Sequence, residues 1–127
     1  MTIERHGSGG PFEATVGYSR VVVAGPLIEV AGCAAVREGR VVGIGDAYEQ
    51  TRVAGEIILE ALARVGADAS HVIRTRIWTT DCSRWEEIAR GHREIFGAHP
   101  PVTLMAEVSR FIDPDMLVEI EATAYRG

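Results

Sequence analysis

The chain has 127 residues and a net charge of −5, which suits one domain around one core and leaves no space for a second. Apolar residues make up 46% of it but aromatic residues only 6%, so the expected core is aliphatic, built from Val, Ile, Leu and Ala. No Lys occurs, which excludes a lysine Schiff base and a phosphate-loop lysine, and the acidic balance makes nucleic acid an unlikely partner.

All 13 basic residues are Arg. Cys33 and Cys82 stand apart, with no C-x-x-C pair. The start, MTIERHGSGG, is polar and Gly-rich rather than a signal peptide, and no apolar run is long enough to span a bilayer. A reduced cytoplasm is the expected location, with no membrane partner.

In chain order, residues 1–13 read as a weakly structured start of a single domain spanning 1–127. Arg20–Ala24 and Leu27–Ala31 are β-branched runs separated by the turn signal Gly25-Pro26, which predicts a hairpin. A short strand-like stretch follows at Arg40–Ile44. Asp46 is a good helix N-cap with Glu49 three residues on, which predicts a capping box, and Val53, Ile57, Ala61 and Val65 form a stripe up to the stop at Gly66. His71–Thr80 is the next strand, with Ile73, Thr75 and Ile77 on one face and Arg74, Arg76 and Trp78 on the other. Ser83 and Glu86 predict a capping box for a helix that Gly97 closes. Val102–Val108 follows Pro100-Pro101, Asp113-Pro114 marks a turn, and Leu117–Tyr125 alternates strictly.

That last strand sets Val118, Ile120, Ala122 and Ala124 on one side and Glu119, Glu121, Thr123 and Tyr125 on the other. The order is an α+β fold whose two helices cover one sheet face. The opposite face then carries Arg74, Arg76, Trp78, Met105, Glu119, Glu121 and Tyr125, too amphiphilic for a simple solvent surface. A second copy of the chain is the economical cover.

Gly43 and Gly45 precede a helix, but the third glycine of a dinucleotide turn is absent and Asp46 stands where a phosphate would sit. Gly7-Ser8-Gly9-Gly10 reads as a linker. His6, His71, His92 and His99 are too scattered for a metal site, and no metal is expected. His92, beside Arg90, Arg93 and Glu94, reads as a solvated surface residue, and Cys33 as a small buried side chain. Arg74, Arg76 and Glu121 read as structural charge pairs.

GYSR at Gly17–Arg20, the AGC segment at Ala31–Cys33, EQT at Glu49–Thr51, VIRTRIWTTD at Val72–Asp81 and VEIEATA at Val118–Ala124 together resemble the RidA family, also called YjgF or L-PSP endoribonuclease. The resemblance implies a chorismate-mutase-like (YjgF-like) fold, a homotrimer, and a small-molecule cleft at each subunit boundary. It also implies cofactor-free hydrolysis of reactive imines or enamines, in which an Arg holds the substrate carboxylate and a Glu on the last strand orients water.

By that resemblance Glu119 is the catalytic candidate, and Tyr18, Gly32, Cys33, Thr103 and Met105 line the cleft. Thr103 stands where the family's substrate-binding Arg is usual, which resembles an Arg-lacking branch in which 2-iminobutanoate or 2-iminopropanoate deaminase activity is not assumed. A lone hydroxyl does not replace a two-pronged cation, so either Arg76 or Arg20 enters the cleft or the substrate differs. The alternative function is a non-catalytic trimeric module that binds a small ligand or docks a partner.

Overall fold

A computed structural model describes residues 2–127. A mixed sheet forms from β1 (Ile3–His6), β2 (Val21–Ala24), β3 (Leu27–Ala34), β8 (Val118–Tyr125), β6 (Val72–Thr79) and β7 (Met105–Glu107), in that spatial order. Neighbours run antiparallel except β6 and β7, which are parallel. Two helices, α2 (Ala47–Arg64) and α3 (Trp85–Phe96), pack on one face. A single turn, α1 (Glu13–Val16), precedes β2, and a two-residue hairpin joins β4 (Val36–Arg37) to β5 (Arg40–Val41). None of the helices is long and apolar enough to cross a membrane.

The α+β architecture follows from the residue periods. The inward side of β8, Val118, Ile120, Ala122 and Ala124, is buried as its alternation requires. It meets Ile28, Val30 and Cys33 of β3, Ile77 of β6, and Ile58, Leu62, Ile88 and Phe96 of the helices. Each fully buried Ile, Leu or Phe in this aliphatic core contributes roughly 1.5–3 kcal/mol.

The α2 stripe is offset from the expected one: Ala54, Ile58, Ala61 and Leu62 are fully buried, while Ile57 and Val65 lie at the margin. At the crossing of α2 with α3, a Cβ on Gly91 would stand 2.9 Å from the Tyr48 carbonyl oxygen, so only glycine permits this approach.

Several local expectations are corrected. Ile3–His6, within the start read as weakly structured, pairs with β2 as an edge strand, where backbone pairing rather than apolar content decides. A register shift between Val72 and Arg74 turns Ile73 outward, half exposed, so Thr75, Ile77 and Thr79 form the inner face with Val72. Asp46 caps α2 by accepting from the Glu49 amide, but the Glu49 carboxylate bonds Arg52 instead of closing a capping box. The turn before α3 is capped by Asp81, which accepts from both the Ser83 amide and hydroxyl. Met105, expected on the open face, is the register partner of Ile77 and packs against the core.

Candidate active site

The parity of β8 turns Glu119 to the open face, beside its register partners Trp78 on β6 and Ala34 on β3. Between Val30 and Cys33 the register of β3 shifts, and Gly32 lies in that irregularity. A Cβ at Gly32 would sit 2.9 Å from Glu119 Oε1 and 3.1 Å from its carboxyl carbon. Glycine is therefore what leaves room for the carboxylate at this point.

Arg20, just before β2, fixes the wall behind it. Its Nη1 donates to the Gly32 carbonyl at 2.8 Å and to Cys33 Sγ at 3.3 Å, and its Nη2 donates to the Tyr18 hydroxyl at 3.2 Å. Nη2 also lies 3.6 Å from Glu13 Oε2, with both side chains about nine-tenths buried. The Glu13 carboxylate accepts from the Ser8 amide at 2.9 Å, from the Ser8 hydroxyl, and from the Gly10 amide at 3.2 Å. The Gly-rich stretch read as a linker is thus tied over the cleft. Among the described residues, the buried Nε of Arg20 has no hydrogen-bond partner.

Burial raises the pKa of Glu119; the Arg20 charge opposes this and Glu121 adds to it, leaving the carboxyl above its ordinary range. Burial pushes the Cys33 thiol up to about 11 against the pull of Arg20, so Cys33 stays protonated near neutrality. For Glu13 burial works upward too, but its bonds from Ser8 and Gly10 and the Arg20 charge outweigh it and hold the pKa low. One carboxylate is thus held firmly ionised while its neighbour is set nearer neutral pH.

Two cavities meet at Glu119. An inner one of about 120 Å³ is lined by Ser8, Tyr18, Arg20, Gly32, Cys33 and Glu119, among others. An outer trough of about 410 Å³ is lined by Phe12, Val16, Phe111, Ile112, Met116 and Glu119, among others. Of the residues expected from the sequence, Tyr18, Gly32, Cys33 and Glu119 therefore converge.

Thr103 and Met105 do not join them within one chain. Thr103 lies on the helix side of the sheet edge, where Thr75 Oγ1 donates to its hydroxyl at 2.8 Å and its own hydroxyl contacts the Leu104 carbonyl at 3.3 Å. Thr75 Oγ1 also lies 2.8 Å from His92 Nε2. His92, read as a solvated residue, is instead half-buried against Phe96, and burial lowers its pKa. Arg76 lies on the open face, 3.4 Å from Glu121, in a separate hollow with Ser19 and Glu29.

Sequence reasoning missed Ser8, Phe12, Glu13, Phe111, Ile112 and Met116. The available signal was an apolar pair, Phe111-Ile112, set in a turn-rich loop, where Ile112 is exposed and Phe111 only partly buried. Among the described residues, no three His, Cys, Asp or Glu side chains gather into a metal-binding group.

This mixed sheet backed by two helices, with a glutamate cleft on its free face, defines a small α+β protein of the YjgF-like type. The chain belongs to the endoribonuclease L-PSP family, whose pattern it matches over residues 10–126. The structure of Rv2704 from Mycobacterium tuberculosis, a member of the YjgF/YER057c/UK114 family, is similar with a TM-score of 0.88, at 45% identity over 98% of this chain and 99% of that one. The uncharacterized protein SCO2049 of Streptomyces coelicolor is 40% identical over 98% of this chain and 93% of its own length. Escherichia coli TdcF, solved with bound serine, shares the fold with a TM-score of 0.81 at 24% identity, covering 100% of this chain and 99% of that one. Membership of this family supports a role in processing small molecules.

Proposed function

We propose that the chain is a cofactor-independent hydrolase of an imine, an enamine or a related C–N bond in a small metabolite, with Glu119 orienting the attacking water. The supporting observation is the Glu119 carboxylate itself: half-buried, raised in pKa by burial, and wedged against Gly32 at the meeting of two cavities. A carboxylate with a pKa lifted towards working pH is a better proton acceptor and donor than an ordinary one. Arg20 supports the reaction by holding the wall: its terminal nitrogens already donate to Gly32, Cys33 and Tyr18.

In this reading a homotrimer completes the cleft, with the open sheet face of one chain covered by its neighbour. The bound serine of TdcF is consistent with a small polar ligand, although that likeness carries the fold alone.

The deciding experiment measures keto-acid and ammonia release from 2-aminoacrylate and 2-iminobutanoate by wild type and Glu119→Ala. Release above the uncatalysed rate that disappears in the variant supports the hydrolase. Equal rates for wild type, variant and blank exclude these two substrates and favour the ligand-binding module. Light scattering tests the assembly separately, and a stable monomer would remove the shared cleft.

A further inference from the structure

On the other side of the sheet from Glu119, a group of side chains joins a titratable nitrogen to an exposed hydroxyl. His92 on α3 places its Nε2 2.8 Å from Thr75 Oγ1, and Thr75 Oγ1 lies 2.8 Å from Thr103 Oγ1. Thr75 on β6 is fully buried, whereas Thr103 at the sheet edge is exposed. The imidazole rests against Phe96, with ring centroids 4.8 Å apart and planes tilted by 41°. Two hydrogen-bond steps thus connect a half-buried base to the protein surface.

Serine hydroxyls elsewhere in the chain meet weaker bases. Ser8 donates to Glu13, Ser70 to Asp68 and Ser83 to Asp81. All three carboxylates titrate below their ordinary range: burial opposes this at Glu13 but is outweighed by the bonds from Ser8 and Gly10, and the Ser70 and Ser83 hydroxyls lower Asp68 and Asp81. Such carboxylates are poor proton acceptors at pH 7. His92 differs in kind. Burial lowers its pKa, so near neutrality the imidazole is uncharged and keeps a lone pair to offer. With the ring proton on Nε2, the chain of hydrogen bonds runs outward from His92 through Thr75 to Thr103. With it on Nδ1 both hydroxyls turn, and Thr103 donates to Thr75 while Thr75 donates to Nε2. The inward arrangement gives the Thr103 proton a way off its oxygen.

We propose that Thr103 is a nucleophilic modification site, activated by His92 through Thr75, and that activated acyl donors such as aryl esters and thioesters acylate it. A hydroxyl is a weak nucleophile until a base takes its proton, and the two contacts of 2.8 Å supply that base at one remove. In the acylation step Thr103 Oγ1 forms a bond to the acyl carbon. Its proton passes to Thr75 Oγ1 as the Thr75 proton passes to His92 Nε2. The intermediate then collapses, the bond to the leaving group breaks, and the electron pair departs with that group. His92 finally returns its proton to solvent, leaving an acyl ester on Thr103. The site is independent of the Glu119 reading and goes beyond it.

The test uses p-nitrophenyl acetate as the acyl donor, with p-nitrophenolate release followed by absorbance and the acetyl group located by peptide mass spectrometry. The chain has no Lys, which removes the commonest competing acyl acceptor, and peptide mapping separates Thr103 from Cys33, Cys82 and the tyrosines. The wild type is expected to carry acetyl on Thr103. His92→Gln keeps a hydrogen-bonding side chain beside Thr75 but no base, and slows labelling of Thr103 by roughly 100-fold, the worth of a general base. Thr75→Val cuts the chain between base and nucleophile and slows it comparably. Thr103→Ser is labelled at the same position, whereas Thr103→Val is not. Amide chemical shifts confirm that each variant remains folded.

Absence of acetyl at Thr103 in the wild type overturns the proposal. Equal labelling rates in wild type and His92→Gln overturn it too, because Thr103 is then an exposed hydroxyl and nothing more. Labelling that falls in His92→Gln but not in Thr75→Val overturns the route through Thr75. A purely structural His92 leaves the rate at Thr103 unchanged in a folded His92→Gln, so the rate itself separates activation from packing. The probe carries no imine, and the outcome is independent of whether Glu119 hydrolyses one.

Discussion

Two polar clusters lie on opposite faces of the same sheet, and they titrate in opposite directions. On the open face Glu119 sits beside empty space with its pKa raised by burial. On the helix face His92, Thr75 and Thr103 form a chain of contacts of 2.8 Å each, and burial lowers the pKa of His92. The folded state therefore favours the uncharged form of both groups, which has opposite consequences as pH changes. Glu119 contributes stability below its unfolded value of about 4.3 and loses it as pH rises through its raised folded pKa. His92 contributes stability above about 6.5 and loses it as pH falls towards its depressed folded pKa. The difference separates two settings of burial: one group borders a cavity, and the other is packed between a helix and the sheet.

The largest expected effect belongs to the open face. Under the proposed reaction Glu119→Gln lowers turnover by roughly 10²- to 10⁴-fold, the usual worth of a positioned acid–base group. The same variant is no less stable than wild type at pH 7 in a thermal melt, because it removes a carboxylate whose ionisation opposes folding. A marked loss of stability would make Glu119 structural and erase the contrast. Next in size is Arg20→Met, which leaves the buried Glu13 carboxylate without its cation at 3.6 Å. Breaking a buried pair in this way costs about 3–5 kcal/mol, readable by urea denaturation. The same change removes the influence that lowers Glu119, so the acidic limb of the pH–rate profile moves upward.

Gly32→Ala sharpens the comparison by separating geometry from stability. The added methyl meets the far end of a flexible glutamate, which swings aside, so the melting temperature changes little. Under the proposed reaction the displaced carboxylate no longer orients the attacking water, and turnover falls roughly 10- to 100-fold, in kcat more than in KM. A normal rate would show that the close approach of Gly32 to Glu119 has no catalytic consequence.

Legibility in the sequence followed the same division. Strict alternation in β8 was enough to place Glu119 outward, because one face of that strand is fully buried and its register cannot slip. The resemblance then led to Tyr18, Gly32 and Cys33, which do converge on it. Edge strand β7 is only three residues long and parallel to β6, so parity alone did not say which side faced the helices. Met105 and Thr103 were accordingly put on the wrong face. His92 looked solvated beside Arg90, Arg93 and Glu94, yet helical geometry points it at the sheet one turn before Phe96. The tie between Ser8 and Glu13 was hidden because a glycine-rich run gives no periodic signal, and its order comes from one carboxylate.

The smallest effects test the helix face. Thr103→Val removes an exposed hydroxyl and leaves the Thr75–His92 contact intact, so the expected loss is at most about 1 kcal/mol. Thr75→Val keeps the shape of a fully buried side chain but strips the half-buried imidazole nitrogen of its partner, which costs about 1–3 kcal/mol. The pH series distinguishes this from ordinary packing loss. The His92 contribution to stability is lost as pH falls below about 6.5, because the unfolded chain binds the His92 proton more readily than the folded one. His92→Gln removes that component, so its stability declines less than wild type between pH 7 and 5. Parallel curves for the two proteins would mean that His92 titrates normally, and the helix-face cluster would then be an exposed contact rather than the buried counterpart of Glu119.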